Sequence, residues 1–172
     1  TQSRSSAASD VYKRQVNSVN NSLSRLNISD IDVLLIHRLD VLMDADEVAD
    51  TFNQLQKEGK VKHFGVSNFT PSHFDLLQSR LGKPLVTNQV EINPLNFEVA
   101  HDGTLDQLQM NRIKPMAWSC LAGGELFSGQ SEQAIRVRNV LEELKEEVGA
   151  KSIDQVIYAW VRKLPSKPLP II

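Results

Sequence analysis

The chain has 172 residues, of which 41% are hydrophobic and 23% charged, a composition typical of one globular domain. Nineteen lysines and arginines stand against twenty-one aspartates and glutamates, and neither sign of charge forms a long block. A nucleic-acid backbone or an anionic membrane surface has no basic patch to bind, so neither partner is expected. The sequence also contains no apolar run of about 18 residues, the length that predicts a membrane span.

Two further features indicate the cellular location of the protein and the extent of its folded part. Cys120 is the single cysteine, so no disulfide can form within the chain, and no secretory segment is visible. Both observations predict a reducing, cytoplasmic location. Residues 1–15, TQSRSSAASDVYKRQ, are small and polar without an apolar period, and we interpret them as a disordered or non-native leader. The folded part is expected over residues 16–172.

Helical and strand patterns alternate along that folded part. In chain order we predict a helix over residues 16–26, a strand over 32–37, a helix over 44–57, a strand over 63–67, a helix over 71–81, a strand over 86–92, a helix over 104–112, a strand over 116–119, helices over 131–148 and 152–164, and a strand over 168–172. The run DVLLIH is apolar throughout, which predicts a strand covered on both faces. The helix over 131–148 is expected to bury Val137, Val140, Leu141, Leu144 and Val148.

This alternation predicts parallel strands joined by right-handed crossovers. The strand starts are about 24 to 30 residues apart, as βα units require. The pattern fits both a (β/α)₈ barrel and an open doubly wound sheet, although a complete barrel needs about 250 residues. In either architecture, functional residues are expected at the carboxyl ends of the strands.

The predicted strand ends carry a distinctive set of side chains. In order they are His37 with Arg38, Ser67 with Asn68, Gln89 with Glu91 and Asn93, and Trp118 with Ser119. The set contains amides, hydroxyls, one imidazole and one large aromatic, but no carboxylate pair and no metal-ligand cluster. It favours an aromatic ligand bearing an amide over metal-assisted hydrolysis.

Four strings carry a specific resemblance to a known family. LLIHRLD, KVKHFGVSNF, TNQVEINPL and AWSCLAGG, in this order, resemble the second half of an aldo-keto reductase over about residues 16–172. LMDADEVADTF and HDGTLDQLQ resemble a bacterial oxidoreductase subgroup of that family. The resemblance implies an α/β fold, a partial (β/α)₈ TIM barrel with about strands 4 to 8 and the intervening helices. It also implies NADPH as cofactor and reduction of aldehydes or ketones by hydride transfer.

The resemblance assigns His37 to the family's Asp/Tyr/Lys/His tetrad. A neutral imidazole N–H can orient a carbonyl oxygen and stabilise the negative charge that develops there. The structural alternative is a histidine that caps a strand end by bonding to backbone. His63, His73 and His101 lack partners at metal-ligand spacing and are interpreted as surface or strand-start residues, so no metal site is expected.

The resemblance also supplies a set of cofactor-binding residues. Ser67, Asn68 and Gln89 would hold the nicotinamide carboxamide, Trp118 would stack on the ring, and Ser119, Leu121 and Gly123 would lie along the pyrophosphate. Each has a structural alternative: Ser67 and Asn68 could satisfy loop backbone, Trp118 could fill the core, and paired glycines could mark a flexible loop. Cys120 is expected to be a packed side chain without chemistry, and the direction of Glu91 stays open.

Part of the family's machinery has no counterpart in this sequence. The proton-donating tyrosine, with its lysine and aspartate, would lie on earlier strands, and neither Tyr12 nor Tyr158 sits in the family's tyrosine motif. KPLPII resembles the last strand, before the segment that holds the adenosine 2′-phosphate. We therefore expect a fragment cut at both ends, unstable and inactive alone. Pro168 and Pro170 lie two residues apart, so both missing N–H donors should face the same side of the last strand and weaken pairing there.

Three functions remain open from the sequence. The first is an NADP(H)-dependent oxidoreductase that reduces aldehydes or ketones, acting on a small-molecule carbonyl substrate. The second is a non-catalytic cofactor-binding barrel that serves as a redox sensor or regulatory subunit. The third, a metal-dependent barrel hydrolase, has too few ligands at the strand ends. The sequence fixes neither the substrate nor the oligomeric state.

Overall fold

The structure, a computed structural model, describes residues 15–172 and contains five parallel strands with helices between them. The strands are β1 (Ile31–Ile36), β2 (Val61–Ser67), β3 (Asn88–Glu91), β4 (Met116–Trp118) and β5 (Leu169–Pro170). The helices are α1 (residues 15–26), α2 (Ala45–Lys57), α3 (Pro71–Gln78), α4 (Thr104–Met110), α5 (Glu125–Ser128), α6 (Glu132–Val148) and α7 (Ile153–Lys163). Short 3₁₀ turns span Glu98–Ala100 and Ala122–Gly124. The predicted α/β alternation is confirmed.

The amino-terminal end of the described region differs slightly from the prediction. The expected leader over residues 1–15 lies outside the described residues except for Gln15, which belongs to α1. Val19 is buried, but Leu26 is 64% exposed, so the predicted apolar face of α1 is covered only in part. The last turn of the helix projects its apolar residue into solvent.

The chain divides into two compact units. Unit one ends at Val86, and unit two spans Thr87–Ile172. In unit one, β1 pairs with β2 in parallel, and in unit two β4 pairs in parallel with both β3 and β5. Within each unit, the carboxyl ends of the strands therefore lie along one edge.

Unit one has its core where α2 and α3 cover β2. Asp44 caps α2, its carboxylate accepting hydrogen bonds from the N–H groups of Asp46 (2.9 Å) and Glu47 (3.2 Å). The buried face of α2 is the predicted one, and Phe52 stacks on Phe64 of β2 with ring centroids 3.9 Å apart. This stack fixes which face of β2 is covered by helices.

Thr70 is the cap residue of α3 and Pro71 its first residue, although the Thr70 hydroxyl makes no cap bond and pairs with His73 Nδ1 at 2.7 Å. One prediction for unit one needs correction. No residue of β1 is buried, and Val33 is 42% exposed, although the apolar run predicted cover on both faces. In unit one the helices bury their apolar side chains against β2 instead.

Unit two has its core on one face of β3 and β4. Val90 and Ala117 are buried there against Leu105 of α4 and Val161 of α7. A second cluster joins Leu126, Leu141, Ile153 and Ile157 at the junction of α5, α6 and α7. Both clusters lie on the helix side of the strands, which leaves the opposite face of β3 and β4 to other side chains.

The buried face of α6 is narrower than predicted. Ser131 caps the helix by accepting from the N–H of Ala134 at 3.1 Å, and Gly149 ends it at φ +66°. Only Ala134 and Leu141, two turns apart, are buried along α6. Val137 is half-buried, whereas Val140, Leu144 and Val148 are exposed. The helix thus contacts its own unit along a thin stripe.

The prolines near β5 both lack their N–H group on the same side of the strand, as predicted, and the pairing with β4 uses the other side. The bonds to β4 are donated by Leu169 to Pro115 O and by Ile171 to Ala117 O, each at 2.8 Å. Pro168 and Pro170 alternate with these donors, so the missing N–H groups lie on the other side of the strand. The placement is the usual one for proline at a strand edge.

Neighbouring leucines on α3 provide a test of the unit-one core. Leu77 is fully buried and Leu76 is 42% exposed. Leu77→Ala should lower the free energy of unfolding by about 2–5 kcal/mol because it leaves a cavity. Leu76→Ala, the matched control, should change it by less than about 1 kcal/mol. Urea denaturation measures both, and equal losses would contradict the described packing.

Candidate active site

His37 and Ser67 lie at the carboxyl edge of the unit-one strands. Ile36 pairs with Val66 across β1 and β2, so the residues that follow, His37 and Ser67, are next to each other along that edge. Ser67 shares its face of β2 with Gly65, opposite the face on which Phe64 stacks against α2. His37 is exposed and Ser67 is buried. The structure thus brings together two of the residues that the sequence singled out.

Asn68 continues this edge in an unusual backbone conformation. Its φ of +56° lies in the left-handed region, which asparagine tolerates better than most residues. Its Nδ2 donates a hydrogen bond to Ser67 Oγ at 3.1 Å. The turn therefore couples the two predicted side chains directly. Strained conformations of this kind concentrate at functional sites.

Unit two carries a row of half-buried polar and large side chains on one face. Gln89 pairs with Met116 and Glu91 with Trp118 across β3 and β4, so these four residues share a face. The intervening Val90 and Ala117 are buried under the helices. Gln89, Glu91, Met116 and Trp118 therefore lie on the face away from α4 and α7. This arrangement answers the open question about Glu91, which does not point toward the helices.

The loop after β4 is tightly turned. Positive φ angles occur at Ser119 (+54°), Ala122 (+51°), Gly123 (+61°) and Gly124 (+96°). Ala122 N–H donates to Ser119 O at 2.8 Å, and Gly124 N–H donates to Leu121 O at 3.0 Å. The backbone of the loop is thereby wound on itself, while the Leu121 side chain packs against the core cluster of α6 and α7.

Arg138 of α6 fixes the segment that follows this loop, a contact that sequence analysis missed. Its Nε donates to Leu126 O at 3.0 Å, and its Nη2 donates to Gly129 O at 2.6 Å and Glu125 O at 3.3 Å. One guanidinium thus holds three backbone carbonyls in and after α5. The sequence hint of this contact is that Arg138 stands among the apolar positions of α6.

A cavity beside the segment that follows His37 was also not predicted. It has a volume of about 290 Å³ and is lined in part by Ile36, Arg38, Asp40 and Met43. Leu42, at the tip of the same segment, is 86% exposed. The cavity could not be predicted from the sequence, because the short loop that lines it mixes polar and apolar residues without a periodic pattern.

Cys120 lies between the loop and the core of unit two. Its thiol donates to Ala117 O at 3.3 Å, and the side chain is buried among the residues that cover Val90. Burial raises the pKa of the Cys120 thiol, which keeps the group protonated. The structure agrees with the prediction of a packed side chain.

Comparison with known proteins identifies the family. The model of the aldo/keto reductase family matches residues 2–172. The chain belongs to the aldo/keto reductase family. Members of this family typically bind a nicotinamide cofactor and act on small carbonyl compounds.

Curated relatives of this reductase family place the chain near a bacterial subgroup. Oxidoreductase YdhF of Escherichia coli strain K12 is 58% identical over 157 residues, which cover 91% of this chain and 52% of that protein. Uncharacterized oxidoreductase YcsN of Bacillus subtilis is 47% identical over 90% of this chain and 52% of that protein. A 6-dehydroglucose reductase of Agrobacterium fabrum is 41% identical over 90% of this chain and 51% of that protein. The predicted YdhF subgroup is supported, and the chain spans about half the length of these relatives.

Solved aldo-keto reductase structures support the predicted barrel class. The thermostable aldo-keto reductase Tm1743, solved with the inhibitor epalrestat, superimposes with a TM-score of 0.81 at 27% identity. The match covers 92% of this chain and 55% of that one. Glycerol dehydrogenase AKR11B4 from Gluconobacter oxydans shows the same fold, with a TM-score of 0.80 at 24% identity over 93% of this chain and 55% of that one. The fold of this reductase chain is therefore a part of a TIM barrel.

Within residues 15–172, no three His, Cys, Asp or Glu side chains come together in a way that could hold a metal ion. No helix over the same residues combines the length and apolarity that a membrane crossing requires.

Cys120 offers a direct test of packing beside the strand-end loop. Because the buried thiol stays protonated and covered, Ellman's reagent at pH 8 should modify it at least about a hundredfold more slowly in the folded reductase than in urea. The rise in absorbance of the released thiolate measures both rates. The unfolded chain serves as the control for intrinsic thiol reactivity. Equal rates would show that the loop opens freely.

Proposed function

We propose that the protein to which this chain belongs is an NADP(H)-dependent oxidoreductase that reduces aldehydes or ketones by hydride transfer. One observation carries the proposal. In both units the polar residues at the strand ends lie on the face away from the helices, at the edge where a TIM barrel builds its active site. Family membership supplies the class of reaction, and the arrangement of side chains supplies the roles.

The side chains at the strand ends fit the carboxamide of a nicotinamide. That group presents one acceptor and two donors, so it needs partners of mixed polarity. Ser67 and Asn68 are coupled by a hydrogen bond, and Gln89 lies half-buried on the same face as Trp118. We assign Ser67, Asn68 and Gln89 to the carboxamide and the indole of Trp118 to the ring face. A stacking contact of this kind contributes about 1 kcal/mol beyond area burial.

The loop after β4 fits an anionic group. Leu121, at φ −96°, is followed by Ala122 at φ +51°, and a right-handed residue followed by a left-handed one is the backbone pattern of anion-binding nests. We assign Ser119, Leu121 and Gly123 to the cofactor pyrophosphate. A Cβ at Gly123 would meet no other atom within 4 Å, so its φ of +61° accounts for glycine there.

His37 is proposed to orient the substrate. When bound, the cofactor supplies the hydride, and the carbonyl oxygen that accepts negative charge needs a donor beside it. His37 is exposed at the carboxyl edge, directly beside the position of Ser67. Its imidazole can therefore donate an N–H to the substrate oxygen while the neighbouring residues hold the nicotinamide. This division separates substrate polarisation from cofactor binding.

The proton donor is assigned to a residue other than Tyr158. Tyr158 lies on α7 and packs against the core cluster around Val90, on the helix-covered face of β3 and β4. Burial raises its pKa, which makes the phenol a weaker acid. Tyr12, the second tyrosine, lies outside the described residues. We propose that a Tyr/Lys/Asp group on other strands of the barrel completes the site, and that this chain alone is inactive.

Three finer assignments belong to the same proposal. NADPH is preferred to NADH on the family resemblance, and a cytoplasmic location follows from the single cysteine. The substrate is a small carbonyl compound. Two relatives are named for such substrates: the 6-dehydroglucose reductase, and a glyoxal reductase of Bacillus subtilis that is 32% identical over 87% of this chain and 49% of that protein.

Removal of the Gln89 amide tests the cofactor site. In the complete protein, Gln89→Ala should weaken NADPH binding about tenfold, because a hydrogen-bonding partner of the carboxamide is lost. Titration of NADPH fluorescence measures the dissociation constant. Gln109→Ala, which removes an exposed glutamine on α4, is the matched control and should leave the constant unchanged. Equal constants for the two variants would remove Gln89 from the site.

Removal of the His37 imidazole tests the catalytic role. His37→Ala should lower kcat about a hundredfold and leave the NADPH dissociation constant within about twofold, because a charge-stabilising donor is lost. NADPH oxidation with glyoxal and with 4-nitrobenzaldehyde measures kcat. His63→Ala, at an exposed position near the amino end of β2, is the control. NADPH binding without turnover in the unmodified protein would favour the redox-sensor or regulatory function.

A further inference from the structure

Asn93 is a fully buried asparagine just beyond β3, and all four hydrogen-bonding positions of its side chain are used. Its Oδ1 accepts from the N–H groups of Leu95 (2.9 Å) and Asn96 (2.7 Å). Its Nδ2 donates to Glu91 Oε1 (3.0 Å) and to Ser119 O (3.1 Å). A short side chain with two donors and two acceptors is required here, and only asparagine provides it.

The bond to Ser119 joins two separate strand ends. Ser119 O also accepts from the N–H of Ala122 at 2.8 Å, so two donors hold this carbonyl. Because a peptide unit is planar, fixing that oxygen fixes the peptide between Ser119 and Cys120. Ser119 itself has a φ of +54°, a conformation that a non-glycine residue keeps only when its surroundings enforce it. Asn93 is one of the groups that enforce it.

Glu91 supports Asn93 from the other side. Its Oε1 accepts from Asn93, and its Oε2 accepts from Asn96 Nδ2 at 2.9 Å. The carboxylate thus orients the amide that holds Ser119. The same strand position places Glu91 opposite Trp118 in the β3 and β4 register. The hydrogen-bond network therefore runs from Glu91, which lies opposite Trp118, through Asn93 to the carbonyl of Ser119.

We propose that Asn93, oriented by Glu91, is the positioning residue that sets the Trp118–Gly123 segment in its cofactor-binding conformation. This inference rests on the proposed function, because it assigns that segment to the nicotinamide and pyrophosphate. Asn93 touches neither group and acts through the Ser119 carbonyl. Without it, the strained turn at Ser119 relaxes and the walls for ring and pyrophosphate are no longer formed in advance.

Thr87 provides a matched control within the same unit. Its buried hydroxyl donates to Lys114 O at 3.0 Å and so links the segments at the amino ends of β3 and β4. Asn93 makes the equivalent link at the carboxyl ends. Thr87→Val removes a buried side-chain bond to a backbone carbonyl, just as a change at Asn93 does. It should lower the thermal midpoint but leave cofactor affinity unchanged.

The experiment compares NADPH dissociation constants in the complete protein. Asn93→Asp keeps the side-chain volume but sets a carboxylate oxygen against Glu91 and the Ser119 carbonyl, and should weaken NADPH binding at least about tenfold. Glu91→Ala should weaken it several-fold, whereas Glu91→Gln, which keeps an acceptor for Asn93, should retain most of the affinity. Adenosine 2′,5′-bisphosphate, which lacks nicotinamide, should bind all variants within about twofold of the parent.

The outcomes separate the positioning role from general stability and from the proposed function. If Asn93→Asp and Glu91→Ala lost no more NADPH affinity than Thr87→Val at a similar thermal midpoint, the positioning role would be overturned. If Asn93→Asp failed to fold, the difference between Glu91→Ala and Glu91→Gln would decide in the same way. Failure of the parent protein to bind NADPH would overturn the proposed function and this inference together. Loss of adenosine 2′,5′-bisphosphate binding in step with NADPH would show a merely structural role.

Discussion

Each strand pair described within a unit is parallel, and parallel strands must all be entered from the same edge of the sheet. Within each unit, the strands therefore end along one edge, where the chain turns into the following segment. Helices cover one face of β2, β3 and β4, as the Phe52–Phe64 stack and the Val90–Ala117 cluster show. Polar residues at that edge avoid burial under a helix only when they lie on the face that the helices leave uncovered. The candidate site follows from this constraint rather than from any single motif.

The backbone at the strand ends is held in defined, left-handed conformations. Asn68 and Ser119, which follow β2 and β4 directly, both adopt left-handed conformations although neither is glycine. The Ser119 carbonyl accepts hydrogen bonds from the Asn93 side chain and from the Ala122 N–H. The Asn68 side chain donates a hydrogen bond to Ser67 Oγ. Downstream, Arg138 secures the carbonyls around α5, so the loop after β4 is anchored where it leads into the helices. Preorganisation of a backbone in this way lowers the entropy that ligand binding would cost.

Much of the fold could be predicted from periodicity. The bounds of α2, α6 and β2 lie within about two residues of the predicted ones, because capping residues such as Asp44 and Ser131 and apolar faces give strong signals. Depth of burial could not be predicted as well. The apolar run of β1 and the stripe of α6 were expected to be covered, yet in the structure no residue of β1 is buried and most of the predicted stripe of α6 is exposed. Periodicity shows which side chains share a face but not what packs on that face.

For the site, the sequence showed which residue types follow each strand but not how they are held. His37, Ser67 and Asn68 were identifiable because each follows or ends an apolar run. The network of Glu91, Asn93 and Ser119 was not, since its key bond joins residues 26 positions apart and depends on strand register. The positive φ at Ser119 also has no sequence signal, because serine shows no preference for that region.

The most direct test of the central claim is a crystal structure of the complete protein with oxidised NADP. We expect the nicotinamide carboxamide within hydrogen-bonding distance of Ser67, Asn68 and Gln89, with its ring against Trp118 and with His37 open to the substrate side. We also expect the pyrophosphate beside the Ser119–Gly123 segment. Cofactor density elsewhere in the barrel, with these side chains uninvolved, would contradict the central claim.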